Sequence, residues 1–239
     1  MNDQIGSPRQ AVILAGGLGT RLRPFTQILP KPMLPVGDSS VLEIQIDRLA
    51  RSGVRDIYFA ANYKADMLQR YFGDGSRFGV DLHYSIESEP LGTCGPLSLL
   101  EGRLTEPFIV MNGDILTTLD FAKAHTFHVA KGGLLTVVSK IVTFPLSYGN
   151  LITANERIVE VHEKPDIKVE ISTGIYVMSP AVIALIPKDT YYGMDNLIRD
   201  MIARNLDVFH YRMEEYWLDI GRMEDYERAQ KDAESLLKV

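Results

Sequence analysis

An apolar run at residues 11–15 feeds directly into a glycine-rich loop, and the chain then presents a lysine between two prolines: residues 11–35 read AVILAGGLGTRLRPFTQILPKPMLP. A short apolar run followed by small residues is how a parallel strand hands a loop to the carboxyl edge of a sheet, where α/β folds bind nucleotides. Gly16, Gly17 and Gly19 leave backbone N–H groups open to oxygens that a Cβ would exclude, while Arg21 and Lys31 bring the charge that glycine lacks. The loop therefore reads as a phosphate cradle. The competing reading is an ordinary turn with two solvated cations, and the Pro30-Lys31-Pro32 frame argues against it. Two standard nucleotide motifs are excluded by the same letters. A P-loop needs Lys-Ser/Thr directly after its last glycine, where this chain has Thr20-Arg21, and a dinucleotide fingerprint needs a third glycine where Leu22 stands.

Downstream of the loop, strand-like and helix-like segments alternate: a helix at 40–52, strand 56–61, helix 64–72, strand 80–87, helix 93–103 and strand 107–112. Ser40 and Glu43 have capping-box spacing, and Gly53 stands where a glycine ends a helix. This alternation predicts an α/β fold, a mixed and mostly parallel sheet flanked by helices. Residues 134–141 read as another central strand. After 145 the strands shorten, to 148–153, 157–163 and 170–178, with a hairpin turn at 154–156; this portion reads as a lid or acceptor half. Helices near 180–186, 194–204 and 223–237 surround the segment 216–221. With 239 residues and no linker or repeat, we expect a single domain, with a nucleotide-binding half at about 1–115 and an acceptor half at about 116–239.

The composition removes several function classes. A formal charge of −6 argues against a broad grip on nucleic acid, and no apolar run reaches the roughly 18 residues that would span a membrane. The first ten residues carry no signal-peptide core, and the lone Cys94 has no internal disulfide partner, so the expectation is a soluble cytoplasmic protein, monomer or homodimer.

Further candidates lie at segment ends. Asn112-Gly113-Asp114 follows an apolar strand, which puts Asp114 at the sheet edge beside the glycine loop; a carboxylate there suits Mg²⁺, which commonly bridges protein carboxylate and substrate phosphate. A second acid, Asp219, lies in WLDIG, and the two acids would close on one phosphate-bound metal. Read alone, either is a capping or turn residue. Glu163-Lys164-Pro165 again sets a cation before proline: Lys164 would take a second phosphate and Glu163 would accept hydrogen bonds from hydroxyls, the alternative being a surface ion pair. The segment 89–96, EPLGTCGP, reads as a backbone platform for a flat ring. His125 and His128 have helical metal spacing without a partner cluster and read as core or surface residues, and Cys94 as a small buried side chain.

Together these motifs resemble the sugar-1-phosphate nucleotidyltransferases, the nucleoside-diphosphate-sugar pyrophosphorylases. The resemblance rests on LAGGLGTRLRP with PKPMLPV, then EPLGTCGP, MNGD, YGNL, EKP, STGIYV and WLDIGRMEDY, in order through nearly the whole chain. It implies a Rossmann-like domain that joins a nucleoside triphosphate to a sugar 1-phosphate, releasing pyrophosphate. Carried onto this chain, it implies that Leu14, Ala15, Gly16, Gly17, Gly19, Thr20 and Arg21 form the triphosphate loop and that Lys31 faces the reacting phosphates. Glu87, Pro90, Gly92 and Thr93 would hold the base; Asn112, Tyr148, Gly149, Glu163, Thr173 and Gly174 the sugar; Lys164 the sugar phosphate; Asp114 and Asp219 the Mg²⁺.

Glu87 falls where some relatives place a glutamine against the base. A carboxylate only accepts, and guanine offers two adjacent donors, which favours GTP; a uracil or thymine N3–H also donates, so UTP and dTTP stay open. The EPLGTCGP wording is similar to the branch that makes GDP-mannose. Ser172-Thr173 stands where relatives often carry Asn-x, so their sugar preference does not transfer. The chain ends soon after the Trp217 segment, so an appended β-helix or regulatory domain is not expected. Two other hypotheses remain. One is cytidylyl transfer to a non-sugar phosphate such as phosphocholine, which would need an aromatic cage from Tyr148, Tyr191, Tyr192 and Trp217. The other is a non-catalytic nucleotide-sugar sensor.

Overall fold

The computed structural model describes residues 6–237; residues 1–5, half of the N-terminal stretch read for a signal core, and 238–239 lie outside it. Strand β1 (Gln10–Leu14) runs into the glycine loop and a short helix α1 (Phe25–Ile28). The ribbon of β2 (Pro35–Val36) and β3 (Ser39–Ser40) leads into α2 (Val41–Arg51), then β4 (Asp56–Ala61), α3 (Ala65–Phe72), β5 (Asp81–Ile86) and β6 (Phe108–Asn112). The second half holds β7 (Ile115–Thr117), α4 (Phe121–Lys131), β8 (Leu135–Pro145), β9 (Asn150–Ala154), β10 (Arg157–His162) and β11 (Asp166–Met178). It closes with α5 (Met194–Ala203), β12 (Val208–Arg212), β13 (Trp217–Asp219) and α6 (Met223–Leu237).

Among the described residues, seven strands form the central sheet in the order β12-β8-β11-β6-β1-β4-β5. The fold is thus mixed and mostly parallel, β11 being antiparallel to both its neighbours. After β1 the chain moves outward to β4 and β5, then returns to place β6 on the other side of β1. This reversal opens a crevice at the carboxyl ends of β1, β4 and β6, the position where α/β sheets take ligands.

The pleat of β1 explains the two-sided core. Ala11 and Ile13 face α2 through Leu42, Ile46 and Leu49, while Val12 packs on the other side with Leu97, Val110 and Leu197; all are fully buried. Removing such side chains from water stabilises the fold by roughly 1.5–3 kcal/mol each, which is why β1 carries no polar residue between Ala11 and Leu14. Helix α2 begins as its spacing predicts: Ser40 Oγ accepts the Glu43 N–H at 3.2 Å and Glu43 Oε2 accepts the Ser40 N–H at 2.8 Å. Gly53 follows it at φ +107°.

Two expected helices are corrected. Residues 93–103 form only a 3₁₀ turn at Gly95–Leu100, and 180–186 one at Pro180–Leu185, each started by a proline that supplies no N–H. The 154–156 hairpin is present, with Asn155 and Glu156 both at positive φ (47° and 64°) as a tight turn between twisted strands requires. The β9–β10 ribbon and the outer halves of β8 and β11 form an exposed arm. No helix among the described residues is long and apolar enough to cross a membrane.

Candidate active site

The crevice at the switch point holds a cavity of about 410 Å³, walled by the loops that leave β1, β4, β5 and β6. Leu14, Ala15, Gly16 and Gly17 form one wall and Glu87, Pro90, Gly92 and Thr93 another; Asn112 and Asp114 close the floor with Lys31. The glycine loop owes its shape to internal contacts. Gly19 is left-handed at φ +59°, and a Cβ there would lie 2.8 Å from Thr26 Cγ2 and 3.0 Å from Lys31 Cβ. Its carbonyl accepts the buried Thr26 hydroxyl at 2.8 Å. Gly17 differs: a Cβ there meets nothing within 4 Å, so protein packing does not demand glycine at that position.

Charge is concentrated on the floor. The Lys31 side chain, 11% exposed, is ion-paired through Nζ with Asp114 Oδ2, while Asp114 Oδ1 is buried with no hydrogen-bond partner among the described residues. An unpaired carboxylate oxygen in such a position is costly unless a cation or donor completes it. Asp219 reaches the same place from β13, which pairs with β7, and the Ile220 N–H donates to the Asp114 carbonyl at 3.0 Å. Desolvation and then the charge of Asp114 hold the Asp219 carboxyl above its usual range, with Lys31 and Arg21 pulling it back. Arg21 is near this acid: a Cβ on Gly221 would be 3.6 Å from both Arg21 Nη1 and Asp219 Oδ1.

The wall formed by Glu87 and residues 90–93 is held by hydrogen bonds and close packing. Glu87 is 7% exposed; its Oε2 accepts the Leu91 N–H at 2.9 Å and its Oε1 faces Gly16, where a Cβ would come within 3.1 Å. Burial pushes the Glu87 carboxyl up, the Leu91 N–H offsetting part of this. Gly92 at φ +84° packs against Tyr192, whose carbonyl accepts both the Cys94 and Gly95 N–H groups at 3.0 Å. Thr93 Oγ1 accepts the Met194 N–H at 2.9 Å. The platform read from EPLGTCGP is thereby locked onto the start of α5.

On the acceptor side the structure divides the candidates. Asn112 lies against Gly174, which is left-handed at φ +72° in a break of the β11 register; a Cβ there would be 2.5 Å from Asn112 Nδ2. The Thr173 side chain is turned into the sheet, where the hydroxyl donates to the Val138 carbonyl at 2.8 Å. Its own carbonyl accepts the Trp217 Nε1–H. Tyr148, Gly149, Glu163 and Lys164 sit together at the root of the exposed arm, with Gly149 against Glu163 Oε2, and do not line the cavity; nor do Gly19, Thr20 and Arg21, which flank its glycine wall. The four aromatics weighed as a cage do not converge. Tyr191 lines the cavity, Tyr192 donates to Asp200, Trp217 donates to Thr173, and Tyr148 is 77% exposed on the arm.

The family model for nucleotidyl transferases matches residues 10–235. The chain belongs to the nucleotidyl transferase family. The chain is 35% identical over 230 residues to the mannose-1-phosphate guanyltransferase of Debaryomyces hansenii, covering 91% of this chain and 62% of that protein. It is also 35% identical over 240 residues to the UTP--glucose-1-phosphate uridylyltransferase of Synechocystis sp., covering 92% and 62%. The chain thus spans about three-fifths of the length of these relatives. Among solved structures, HddC from Yersinia pseudotuberculosis complexed with GMP-PN is similar with a TM-score of 0.72 and 27% identity, covering 94% of this chain and 99% of that one.

Several residues of the candidate site were not singled out from sequence. Asn62 lines the cavity and donates from Nδ2 to the Glu87 carbonyl at 3.0 Å, joining the β4 and β5 loops. Thr26 and Gln45 act behind the walls. His125 and His128 are core residues bonded to protein oxygens, and Cys94 is fully buried with its thiol pushed up to about 12.

Proposed function

We propose that this nucleotidyl transferase joins GTP to a sugar 1-phosphate, giving a GDP-sugar and pyrophosphate, with a nucleotide half at 1–115 and a sugar half at 116–239. The observation that carries the reading is the buried, unpartnered Asp114 Oδ1 on the floor of a cavity walled by the glycine loop and Glu87. Asp114 and Asp219 fit Mg²⁺, a hard cation satisfied by a few carboxylate oxygens with phosphate and water completing its shell; when bound it supplies positive charge to the phosphates. No larger group of His, Cys, Asp and Glu occurs among the described residues.

The remaining work belongs to side chains of the chain. A sugar 1-phosphate is a monoester, largely dianionic at neutral pH because its second pKa lies near 6, so its oxygen attacks the α-phosphorus without a protein base. The barrier is repulsion between polyanions. Lys31 and Arg21 neutralise the triphosphate from opposite sides, and backbone N–H groups of residues 15–17 orient it. Lys164, brought in on the arm, holds the incoming phosphate in line with departing pyrophosphate. Tyr148, Gly149 and Glu163 come with it to the sugar, and Asn112 and Gly174 support its other side.

Glu87 favours guanine because its carboxylate accepts from two adjacent donors, and both the guanyltransferase relatives and the GMP-PN complex of HddC support that choice. The equally similar uridylyltransferase keeps UTP with a glucose phosphate as the second reading. A matrix of GTP, UTP, dTTP and CTP against mannose, glucose and other sugar 1-phosphates, read by pyrophosphate release with and without Mg²⁺, decides between them. Preferred turnover with UTP would overturn the Glu87 argument. Nucleotide binding without any pyrophosphate would make the protein a sensor.

A further inference from the structure

The turn carrying Asp114 is tied down by hydrogen bonds from several elements, and two of them come from one side chain far away in sequence. The Gly113 N–H donates to the Leu14 carbonyl at 2.9 Å, fixing the turn to the strand of the glycine loop, and the Ile220 N–H donates to the Asp114 carbonyl at 3.0 Å, fixing it to the Asp219 segment. The Gln45 amide supplies the others. Its Nε2 donates to the carbonyl of Asn112 at 3.0 Å and to that of Ile115 at 2.7 Å, the residues just before and just after Gly113-Asp114. One planar amide therefore closes the turn like a clip.

Gln45 occupies a position where packing alone would favour an apolar residue. It is 3% exposed on the core face of α2, between Leu42 and Leu49. Its Oε1 is buried with no hydrogen-bond partner among the described residues, which costs stability. The two bonds from Nε2 offset that cost, since the Asn112 and Ile115 carbonyls need partners beside the cavity floor.

We infer that Gln45 is a positioning residue for Asp114. By holding both flanks of the turn, it keeps Oδ1 directed away from protein donors while Lys31 engages Oδ2, so that the free oxygen stays available to a cation. The inference rests on the reading of Asp114 as a magnesium ligand.

The test measures metal coupling rather than turnover. GTP and UTP are titrated calorimetrically with and without Mg²⁺, and the ratio of the two affinities is compared in wild type, Gln45→Met, Asp114→Asn and the double variant. Gln45→Met keeps the volume and deletes both donors. We expect its ratio to fall about tenfold with the metal-free affinity unchanged, and the double variant to match Asp114→Asn alone, because both changes act through one carboxylate. If Gln45→Met keeps the wild-type ratio while Asp114→Asn loses it, the clip is refuted and the metal reading stands. If Asp114→Asn also keeps it, both fall. Should Gln45→Met fail to fold by circular dichroism, Gln45→Asn, one methylene too short to span both carbonyls, is titrated instead with the same outcomes deciding.

Discussion

Acid should weaken this protein through a histidine that lies outside the candidate site. His128, on α4, is 1% exposed, with Nδ1 2.9 Å from Thr136 Oγ1 on β8 and Nε2 3.0 Å from Ser179 Oγ just after β11. The Ser179 hydroxyl donates to the Gly133 carbonyl at 2.9 Å, so it accepts from His128, and the ring is a neutral Nε2–H tautomer whose Nδ1 accepts from Thr136. Desolvation, and then the neighbouring His125, lower its pKa from 6.5 to about 4. Above pH 6.5 the ring is neutral folded and unfolded, and stability does not depend on it. As pH falls from 6.5 towards 4, the unfolded chain takes up a proton that the native state refuses, so stability is lost across that window and levels off below it. Two and a half pKa units correspond to roughly 3 kcal/mol, a large share of the 5–15 kcal/mol by which domains are stable. The assay is urea unfolding of wild type and His128→Gln from pH 7.5 to pH 4. Carboxylates titrate alike in both proteins and cancel in the difference. The wild-type free energy should fall by about 3 kcal/mol more than that of the variant. Parallel curves would refute the buried neutral ring.

Other perturbations probe the site directly. Asp114→Asn and Arg21→Ala should each lower turnover by about 10²-fold or more with circular dichroism unchanged, as loss of a transition-state charge partner does; undiminished turnover of folded Asp114→Asn would sink the metal assignment. Gly174→Ala would place a Cβ 2.5 Å from Asn112 Nδ2 in a left-handed residue, and should destabilise by about 2–4 kcal/mol while raising KM for the sugar phosphate more than for the triphosphate. An unshifted Tm would count against that geometry. Thr26→Val keeps the volume but removes the hydroxyl bonded to the Gly19 carbonyl; we expect a stability loss of about 1 kcal/mol and a several-fold rise in triphosphate KM, measured by initial rates.

What could be read from the chain depends on how local its cause is. The cap at Ser40, the hairpin turn at Asn155-Glu156 and the loop at Gly16–Gly19 are set by residues a few positions apart, and each stands in the structure as its spacing implies. Residues 93–103 misled because helix-compatible letters there are held by Tyr192 and Met194, about a hundred positions away, so the chain follows those partners instead of its own propensity. The orientation of Thr173 was hidden for a related reason: a hydroxyl beside a glycine reads the same whether it faces outward or, as here, a neighbouring strand's carbonyl. Asn62 and Gln45 carry no motif at all. Yet Gln45 did leave a signal, because it falls three residues after Leu42 and four before Leu49, on the apolar stripe of α2. A polar residue on such a stripe must find its partners inside the protein. Here they are the two carbonyls that bracket a candidate metal ligand, which makes the interruption of the apolar pattern, more than any motif, the part of α2 that bears on function.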